Sequence, residues 1–145
     1  MKITLCGSLT FNMEMMDAKR ELEELGHEVD LPQSALDGYS KEWWAELRKS
    51  DAGEFLRFKD ESMRGHFDKV VWADAILVCN YEKNGVGGYI GPNTLMEMGL
   101  GFYLRKKLFL LFPSTQESLE EDMRVLRPSV LNGNVTMVNT LLIAG

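Results

Sequence analysis

Short apolar runs alternate with longer amphipathic segments along most of this chain. Four of the runs predict β-strands, because each is short and is bounded by turn-forming residues: KITLC, HEVDLP, AILVCN and KLFLLF. The last two are apolar almost throughout, which is typical of strands buried on both faces of a parallel sheet. A further strand, NVTMVN, is predicted in the C-terminal tail.

Helical spacing of apolar residues fills the segments between these strands. The pattern predicts a first helix from a cap at Asn12 to Gly26, a long helix over residues 54–73, and an acidic helix over TQESLEEDMRVL. Pro92 is suited to the first position of a helix over PNTLMEMGLGFYL. Residues 33–53 are mainly polar, so we expect a loop and a short helix over the rim of the sheet.

This alternation predicts an α/β fold, with a doubly wound parallel sheet of the flavodoxin-like or Rossmann-like kind and helices on both faces. The length of 145 residues fits a single domain over residues 1–145. In such sheets ligands bind beyond the carboxyl ends of the strands, at the topological switch point. Three predicted loops leave those ends: GSLTFN, NYEKNGVGGYIG and residues 113–116.

Charge and composition narrow the range of partners. A net charge of −6 with scattered cations argues against nucleic acid as the main partner. No apolar stretch reaches about 18 residues and the N-terminus shows no signal-peptide pattern, so we expect a cytoplasmic protein without membrane contact. Cys6 and Cys79 lie in apolar runs, where a reduced thiol behaves as a small hydrophobic group. Two cysteines and two histidines spread this way do not suggest a metal site, and no cofactor is expected.

Glu97 is the main candidate for a functional residue. It follows a glycine-rich loop at the predicted ligand edge and lies within the first two turns of the helix that begins near Pro92, where the helix dipole favours a negative charge. A partly desolvated yet ionised carboxylate suits a nucleophile for a glycosidic carbon. The alternative is an acid that only complements the dipole. Gly99 and Gly101 lower helix propensity, and close approach of this helix to the sheet or to a ligand would explain both.

The motifs CGSLTF and WADAILVCN, a glycine-rich loop and LMEMGLGFYLRKKLFLLF occur in this order. Together they resemble the nucleoside 2-deoxyribosyltransferase family, which includes related nucleotide N-glycosidases, over Lys2 to Pro113. The resemblance implies that Glu97 attacks the anomeric carbon and forms a glycosyl-enzyme intermediate. It also implies that the partner is a small nucleoside or nucleotide, and that the chain forms a homodimer or a larger homo-oligomer.

The loop after the first strand lines the sugar pocket in that family. By this resemblance Gly7, Ser8 and Phe11 are candidate substrate-binding residues, and the Ser8 hydroxyl is placed to donate to a sugar hydroxyl or a phosphate. The alternative is an ordinary turn between a strand and a helix.

Two further candidates for catalysis come from the same resemblance. Asp74 matches a family position, although an acid there can equally cap a helix or satisfy backbone amides. The family's second carboxylate stands eight residues before that aspartate, and here the count leads to His66, with Asp68 two residues later. His66 either handles the proton of the leaving base, since a histidine titrates near neutrality, or lies on a helix surface.

The loop before Glu97 departs from the family pattern because it lacks the usual acidic residue. It contributes Gly88, Tyr89 and Asn93 as candidate substrate-binding residues, and its glycines leave backbone N–H groups free to face an anion. Lys83 either faces a phosphate or is simply solvated. This departure favours hydrolysis of an N-glycosidic bond over base transfer.

Trp43 and Trp44 stand out in the polar segment. They either stack against a base, or cover the sheet edge or a subunit contact. Because the second carboxylate is missing, a non-catalytic module that binds or senses nucleotides on the same fold is the alternative to an enzyme.

Overall fold

The computed structural model describes residues 1–144, which form a sheet with helices on both faces. The strands are β1 (Lys2–Cys6), β2 (Glu28–Asp30), β3 (Ala75–Val78), β4 (Lys107–Leu110) and β5 (Ser129–Val130). The helices are α1 (Asn12–Glu24), α2 (Gln33–Leu36), α3 (Lys41–Ser50), α4 (Ala52–Trp72), α5 (Pro92–Tyr103), α6 (Glu120–Leu126) and α7 (Met137–Ala144). Short 3-10 turns cover Leu9–Phe11 and Glu117–Leu119.

The five strands are all parallel, in the order β2-β1-β3-β4-β5. This is the flavodoxin-like order of a doubly wound sheet, so the predicted fold class is confirmed. The chain leaves β1 toward one edge and returns to β3 on the other side of β1, which places the switch point between β1 and β3. Among residues 1–144, no helix combines the length and the apolar composition that membrane crossing requires.

The sheet separates two hydrophobic cores, because successive strand residues point to opposite faces. In β3, Ala75 and Leu77 pack with α1 and α7 on one face, whereas Ile76 and Val78 pack with α4, α5 and α6 on the other. Every residue of β3 is fully or almost fully buried. The apolar character of this strand therefore reflects its central place in the sheet.

The prediction for the C-terminal tail is wrong. The last strand is β5, which pairs with β4 through Ser129 and Val130, and the segment NVTMVN instead leads into α7. Val135 and Val138 are both buried in one core, and their separation of three residues is that of a helical face and not of a strand.

Side-chain caps shape the helices of the mainly polar segment. Ser40 Oγ accepts a hydrogen bond from the Trp43 N–H at 3.0 Å, and Asp51 Oδ1 accepts one from the Glu54 N–H at 3.0 Å. These caps begin α3 and α4, so the segment contains two helices, α2 and α3, where one was expected. At α1 the predicted cap, Asn12, is instead the first helical residue, and Ser8 caps the 3-10 turn that precedes it.

Helix α5 approaches the sheet closely, as the glycines suggested, but only one of them is responsible. A Cβ atom added at Gly101 would lie 2.3 Å from Cδ1 of Ile76, a fully buried residue of β3. At Gly99 an added Cβ would meet nothing within 4 Å. Gly101 is therefore required by packing, whereas the close-approach explanation is wrong for Gly99.

These two glycines provide a matched pair of substitutions on one helix. We expect Gly99→Ala to raise the free energy of unfolding by about 0.5–1 kcal/mol, because alanine has the higher helix propensity. Gly101→Ala should lower it by about 1–3 kcal/mol, because the new methyl group overfills the contact with Ile76. Urea denaturation measures both values, and a stabilising Gly101→Ala would contradict the packing described here.

Candidate active site

A cavity of about 390 Å³ opens at the carboxyl edge of the sheet, beside the switch point between β1 and β3. This volume lies in the range of small-molecule sites. Its base is formed by Gly7 and Ser8 after β1, by Lys83 and Tyr89 from the loop after β3, and by the first turns of α5. Two of the three predicted loops therefore meet at the cavity.

Helices α3 and α4 close the opposite side of the cavity. Their lining residues recur at spacings of three and four, so each helix turns one face toward it: Lys41, Trp44, Ala45 and Arg48 on α3, and Phe55, Lys59, Ser62, Met63 and His66 on α4. The polar segment that precedes α4 is thus a wall of the candidate site.

Aromatic packing holds α3 against α4. The Trp43 ring stacks on Tyr39 with centroids 4.2 Å apart and meets Phe58 edge to face at 5.7 Å. Trp44 meets Phe55 edge to face at 5.9 Å, and both rings line the cavity. The two tryptophans therefore differ in place: Trp43 joins the helices, and Trp44 is available to a ligand.

Glu97 lies in the cavity wall and is only 8% exposed. It is the sixth residue of α5, which begins at Pro92, so it lies beyond the first turn where unpaired N–H groups favour a negative charge. Burial raises its pKa to about 7, and the neighbouring Cys6 thiol opposes this effect. Desolvation therefore works against the ionised form that the helix terminus was expected to favour, and the ionised form predominates only above about pH 7.

His66 and Cys6 accompany Glu97 in the same buried cluster. His66 Nε2 lies 3.8 Å from Glu97 Oε2 and 3.4 Å from Cys6 Sγ. Burial, and then the positive charge of Lys69, lowers the pKa of His66 to about 4, so its imidazole is neutral at neutral pH. Burial and the nearby Glu97 carboxylate raise the pKa of the Cys6 thiol. His66 is thus a buried residue, not one of the helix surface.

This cluster can do two kinds of chemistry. Above about pH 7 the Glu97 carboxylate is ionised in a poorly solvated position, which suits a nucleophile or a base. In addition, one sulfur, one nitrogen and one oxygen atom lie within 4.8 Å of one another, which is the arrangement of a set of metal ligands.

Positive charge surrounds the rest of the cavity. Four cationic residues line it, Lys41, Arg48, Lys59 and Lys83, and Glu97 is the only carboxylate among its described lining residues. The Lys83 ammonium donates to Ser8 Oγ at 2.9 Å and lies 5.1 Å from the centre of the Tyr89 ring. Burial, and then the charge of Lys41, lowers the pKa of Lys83. In a chain of net charge −6, this concentration of cations favours an anionic ligand.

The structure brings most of the predicted site residues to the cavity: Gly7, Ser8, His66, Tyr89, Asn93 and Glu97. Asp74 is elsewhere, because it precedes β3 at the amino edge of the sheet, where its Oδ2 accepts a hydrogen bond from the Lys2 N–H at 2.9 Å. This contact supports the structural reading of Asp74.

Phe11 and Gly88 also lie outside the cavity lining. The Phe11 ring is buried in the core and meets Tyr81 edge to face at 5.2 Å, because the 3-10 turn directs it inward. Gly88 has a φ of +61°, and a Cβ atom there would lie 1.9 Å from the Pro113 carbonyl oxygen. Its role is close packing between two loops, which only glycine permits.

Buried amides hold these loops in place. Asn80 Nδ2 donates to the Phe112 carbonyl at 2.7 Å, and Asn80 Oδ1 accepts from the Phe112 N–H at 2.9 Å. Gln116 likewise accepts from the Ile90 N–H at 2.7 Å and donates to the Ile90 carbonyl at 3.1 Å. These pairs join the ends of β3 and β4 and fix the entry into α5.

The sequence contains a pattern from which the cavity-lining faces of α3 and α4 could have been predicted. Lys41, Trp44 and Arg48 follow helical spacing, as do Phe55, Lys59 and His66, so two amphipathic faces could have been recognised. No local pattern marks Cys6 as a neighbour of His66, since 60 residues separate them in the chain.

The solved structures that are similar to this chain include the following two. One is a 2-deoxyribosyltransferase from the psychrotolerant bacterium Bacillus psychrosaccharolyticus, with a TM-score of 0.51 and 19% identity over 80% of this chain and 75% of that one. The other is a CMP N-glycosidase from Clostridium botulinum, with a TM-score of 0.52 and 18% identity over 99% of this chain and 98% of that one. No protein-family description matches the chain, and no curated protein matches its sequence. The resemblance noted in the motifs is thus confirmed at the level of structure: the chain has the fold of a 2-deoxyribosyltransferase and a CMP N-glycosidase.

Proposed function

We propose that this protein is an N-glycosidase that hydrolyses the bond between base and sugar in a nucleoside monophosphate, with Glu97 as the nucleophile. The observation that carries the proposal is the position of Glu97: a buried carboxylate in a cavity at the switch point of the sheet. An ionised carboxylate can attack the anomeric carbon and later leave it, so one nucleophile serves in both displacements of a covalent mechanism.

In the first step, the ionised Glu97 carboxylate attacks the anomeric carbon of the sugar. The new C–O bond forms as the C–N bond breaks, and the bonding pair leaves with the base, which takes up a proton from solvent. In the second step water attacks the same carbon, releases the carboxylate and loses a proton to solvent. Two displacements retain the configuration of the sugar.

His66 is a positioning residue in this scheme. At neutral pH its imidazole is neutral and not an imidazolium, so it is a poor general acid for the leaving base. It lies 3.8 Å from the Glu97 carboxylate and limits the side-chain orientations of Glu97. The proton-handling role considered from the sequence is therefore replaced by an orienting one.

The cations of the cavity support a substrate that carries a phosphate. Lys41, Arg48 and Lys59 line the wall opposite the sheet, and Lys83 with Ser8 lines the base. Guanidinium and ammonium groups form strong charge-assisted hydrogen bonds to phosphate oxygens. The sugar and the base would contact the aromatic rings of Tyr89 and Trp44 and the side-chain amide of Asn93.

The structural neighbours support this class of reaction. One is named a CMP N-glycosidase and matches almost the entire chain, and the other is named a 2-deoxyribosyltransferase. Hydrolysis is preferred over base transfer because the loop before α5 lacks the acidic residue expected from the resemblance to the transferase family.

A non-catalytic nucleotide-binding module is the second candidate. The observation in its favour is the absence of any carboxylate except Glu97 among the described cavity residues, which leaves the base without an obvious proton donor. Such a module would bind nucleoside monophosphates in the same cavity without releasing base.

The first test compares Glu97→Gln with Asp74→Asn in assays of base release from nucleosides and their monophosphates. We expect Glu97→Gln to lower kcat/KM by about 10³-fold or more, because the nucleophile is lost. Asp74→Asn should retain most of the activity, because Asp74 lies at the opposite edge of the sheet.

Calorimetric binding of monophosphates to the same proteins separates the two candidates. Binding without base release by the wild type would favour the module, and base release that survives Glu97→Gln would contradict the role of Glu97.

The second test concerns the phosphate. Arg48→Gln and Lys59→Gln should each raise KM for nucleoside monophosphates about 10- to 100-fold, because each removes a charge-assisted hydrogen bond. KM for the corresponding nucleosides should change little. Arg20→Gln is the control, since Arg20 is exposed on α1 and pairs with Asp17 at 3.2 Å. Equal effects of Arg48→Gln on nucleosides and monophosphates would contradict a phosphate-binding role.

The third test is the pH profile of kcat/KM in metal-free buffer. Only the ionised carboxylate is nucleophilic, and burial raises the pKa of Glu97 to about 7. Activity should therefore rise about tenfold per pH unit below pH 7 and level off above it. A profile that is flat between about pH 5 and pH 8 would show that Glu97 is already ionised in acid, contrary to its burial.

A further inference from the structure

Cys6, His66 and Glu97 come from three different elements and meet in one buried cluster. Cys6 ends β1, His66 lies on α4, and Glu97 lies on α5. Their sulfur, nitrogen and oxygen atoms lie within 4.8 Å of one another, with 3.4 Å from Sγ to Nε2 and 3.8 Å from Nε2 to Oε2. In the proposed hydrolysis the Cys6 thiol is only a core residue and a neighbour of Glu97, and this combination of three ligand atoms permits a further role.

Two of the three separations between these atoms are close to those of zinc ligands. Zn²⁺ binds sulfur at about 2.3 Å, imidazole nitrogen at about 2.0–2.1 Å and carboxylate oxygen at about 2.0–2.2 Å, in tetrahedral geometry. Those bond lengths place neighbouring ligand atoms about 3.3–3.6 Å apart. The observed distances of 3.4 and 3.8 Å are near those values. The third separation, from Cys6 Sγ to a Glu97 carboxylate oxygen, lies within 4.8 Å, and a rotation of the Glu97 side chain would shorten it to the same range.

A metal ion could reach the cluster from the cavity, and its fourth coordination position would face the cavity. His66 and Glu97 line the cavity, whereas Cys6 is fully buried behind them. An ion that enters through the cavity would contact all three ligands and keep its fourth position toward the cavity. Three protein ligands with an open fourth position is the pattern of zinc sites that bind water or a substrate group.

Charge balance favours a divalent ion here. A thiolate and a carboxylate together carry two negative charges, which neutralise Zn²⁺ in a place where water is largely excluded. The thiol proton passes to solvent as the Zn–S bond forms, and no other reactant is needed. Sulfur and imidazole ligands select Zn²⁺ over Mg²⁺ and Ca²⁺, which prefer oxygen.

We propose that Cys6, His66 and Glu97 form a binding site for one Zn²⁺ ion, with a fourth coordination position open to the cavity. This departs from the expectation that the chain has no metal site. It does not depend on the proposed N-glycosidase activity, since metal binding needs the three ligands alone. Because the ion takes a carboxylate oxygen of Glu97, metal-bound protein and nucleophilic Glu97 are mutually exclusive states.

Cobalt substitution tests the site without reference to activity. Wild-type protein freed of metal with a chelator and a reductant is titrated with Co²⁺, and absorption is recorded in the near-ultraviolet and visible regions. We expect one Co²⁺ per chain, a thiolate-to-cobalt charge-transfer band and tetrahedral d–d bands, all lost when Zn²⁺ displaces Co²⁺. Absence of the charge-transfer band at metal concentrations in excess of protein would overturn the proposal.

The chain offers a matched control for each of two ligands. Cys6→Ala should abolish the charge-transfer band, whereas Cys79→Ala should keep it, because Cys79 is the other buried free thiol and lies outside the cluster. His66→Gln should weaken Zn²⁺ binding by more than the 10- to 100-fold typical of an outer-shell partner. His27→Gln should not, since His27 lies between the N-terminus and Asn139.

Folding is checked by circular dichroism, and Cys6→Ser provides an isosteric variant if Cys6→Ala does not fold. A charge-transfer band that persists in a folded Cys6 variant would overturn the proposal, as would an equal loss in Cys79→Ala. Retention of the band in Cys79→Ala and its loss in the Cys6 variant would establish the site.

Discussion

The contact of helix α5 with the sheet determines the character of the candidate site. Gly101 has no side chain, so the helix packs directly on Ile76 of β3. Glu97 lies four residues earlier, on the same helical face, and the same approach that buries this face also buries the carboxylate. A larger residue at position 101 would overlap the end of the Ile76 side chain, so this contact would have to repack. The close packing that buries Glu97 thus includes a contact that a glycine makes possible.

Burial then governs the electrostatics of the cluster. The carboxylate of Glu97 loses hydration that the helix terminus does not replace, which raises its pKa toward neutrality. The same loss of hydration keeps His66 neutral and the Cys6 thiol protonated. His66 and Cys6 are neutral at neutral pH and Glu97 is near its titration point, yet all three are ligands of the type that a divalent cation binds. One cluster therefore supports both a carboxylate nucleophile and a metal site, and the two uses compete for the same oxygen atoms.

The wall formed by α3 and α4 adds the second property of the cavity, its positive charge. The sheet edge contributes backbone, hydroxyl and ring groups, together with Lys83, whereas α3 and α4 contribute Lys41, Arg48 and Lys59. Aromatic contacts between Trp43, Tyr39 and Phe58 keep the two helices together. The buried cluster is thus suited to chemistry, while the more exposed helical wall is suited to recognition of an anion.

The sequence by itself determined the architecture and the position of Glu97. Local spacing of residues is visible in the sequence itself. It is enough to recognise a uniformly apolar strand such as β3, a helix cap, a proline at the start of a helix and a glycine-rich loop. Only the tertiary structure decided which side chains share the cavity. In the folded chain Cys6 contacts His66, from which 60 residues separate it, and Asp74 lies at the amino edge of the sheet. Phe11 is buried in the core, and NVTMVN leads into a helix. These outcomes depend on how helices pack on the sheet, and packing is a property of contacts between segments that are distant in the chain.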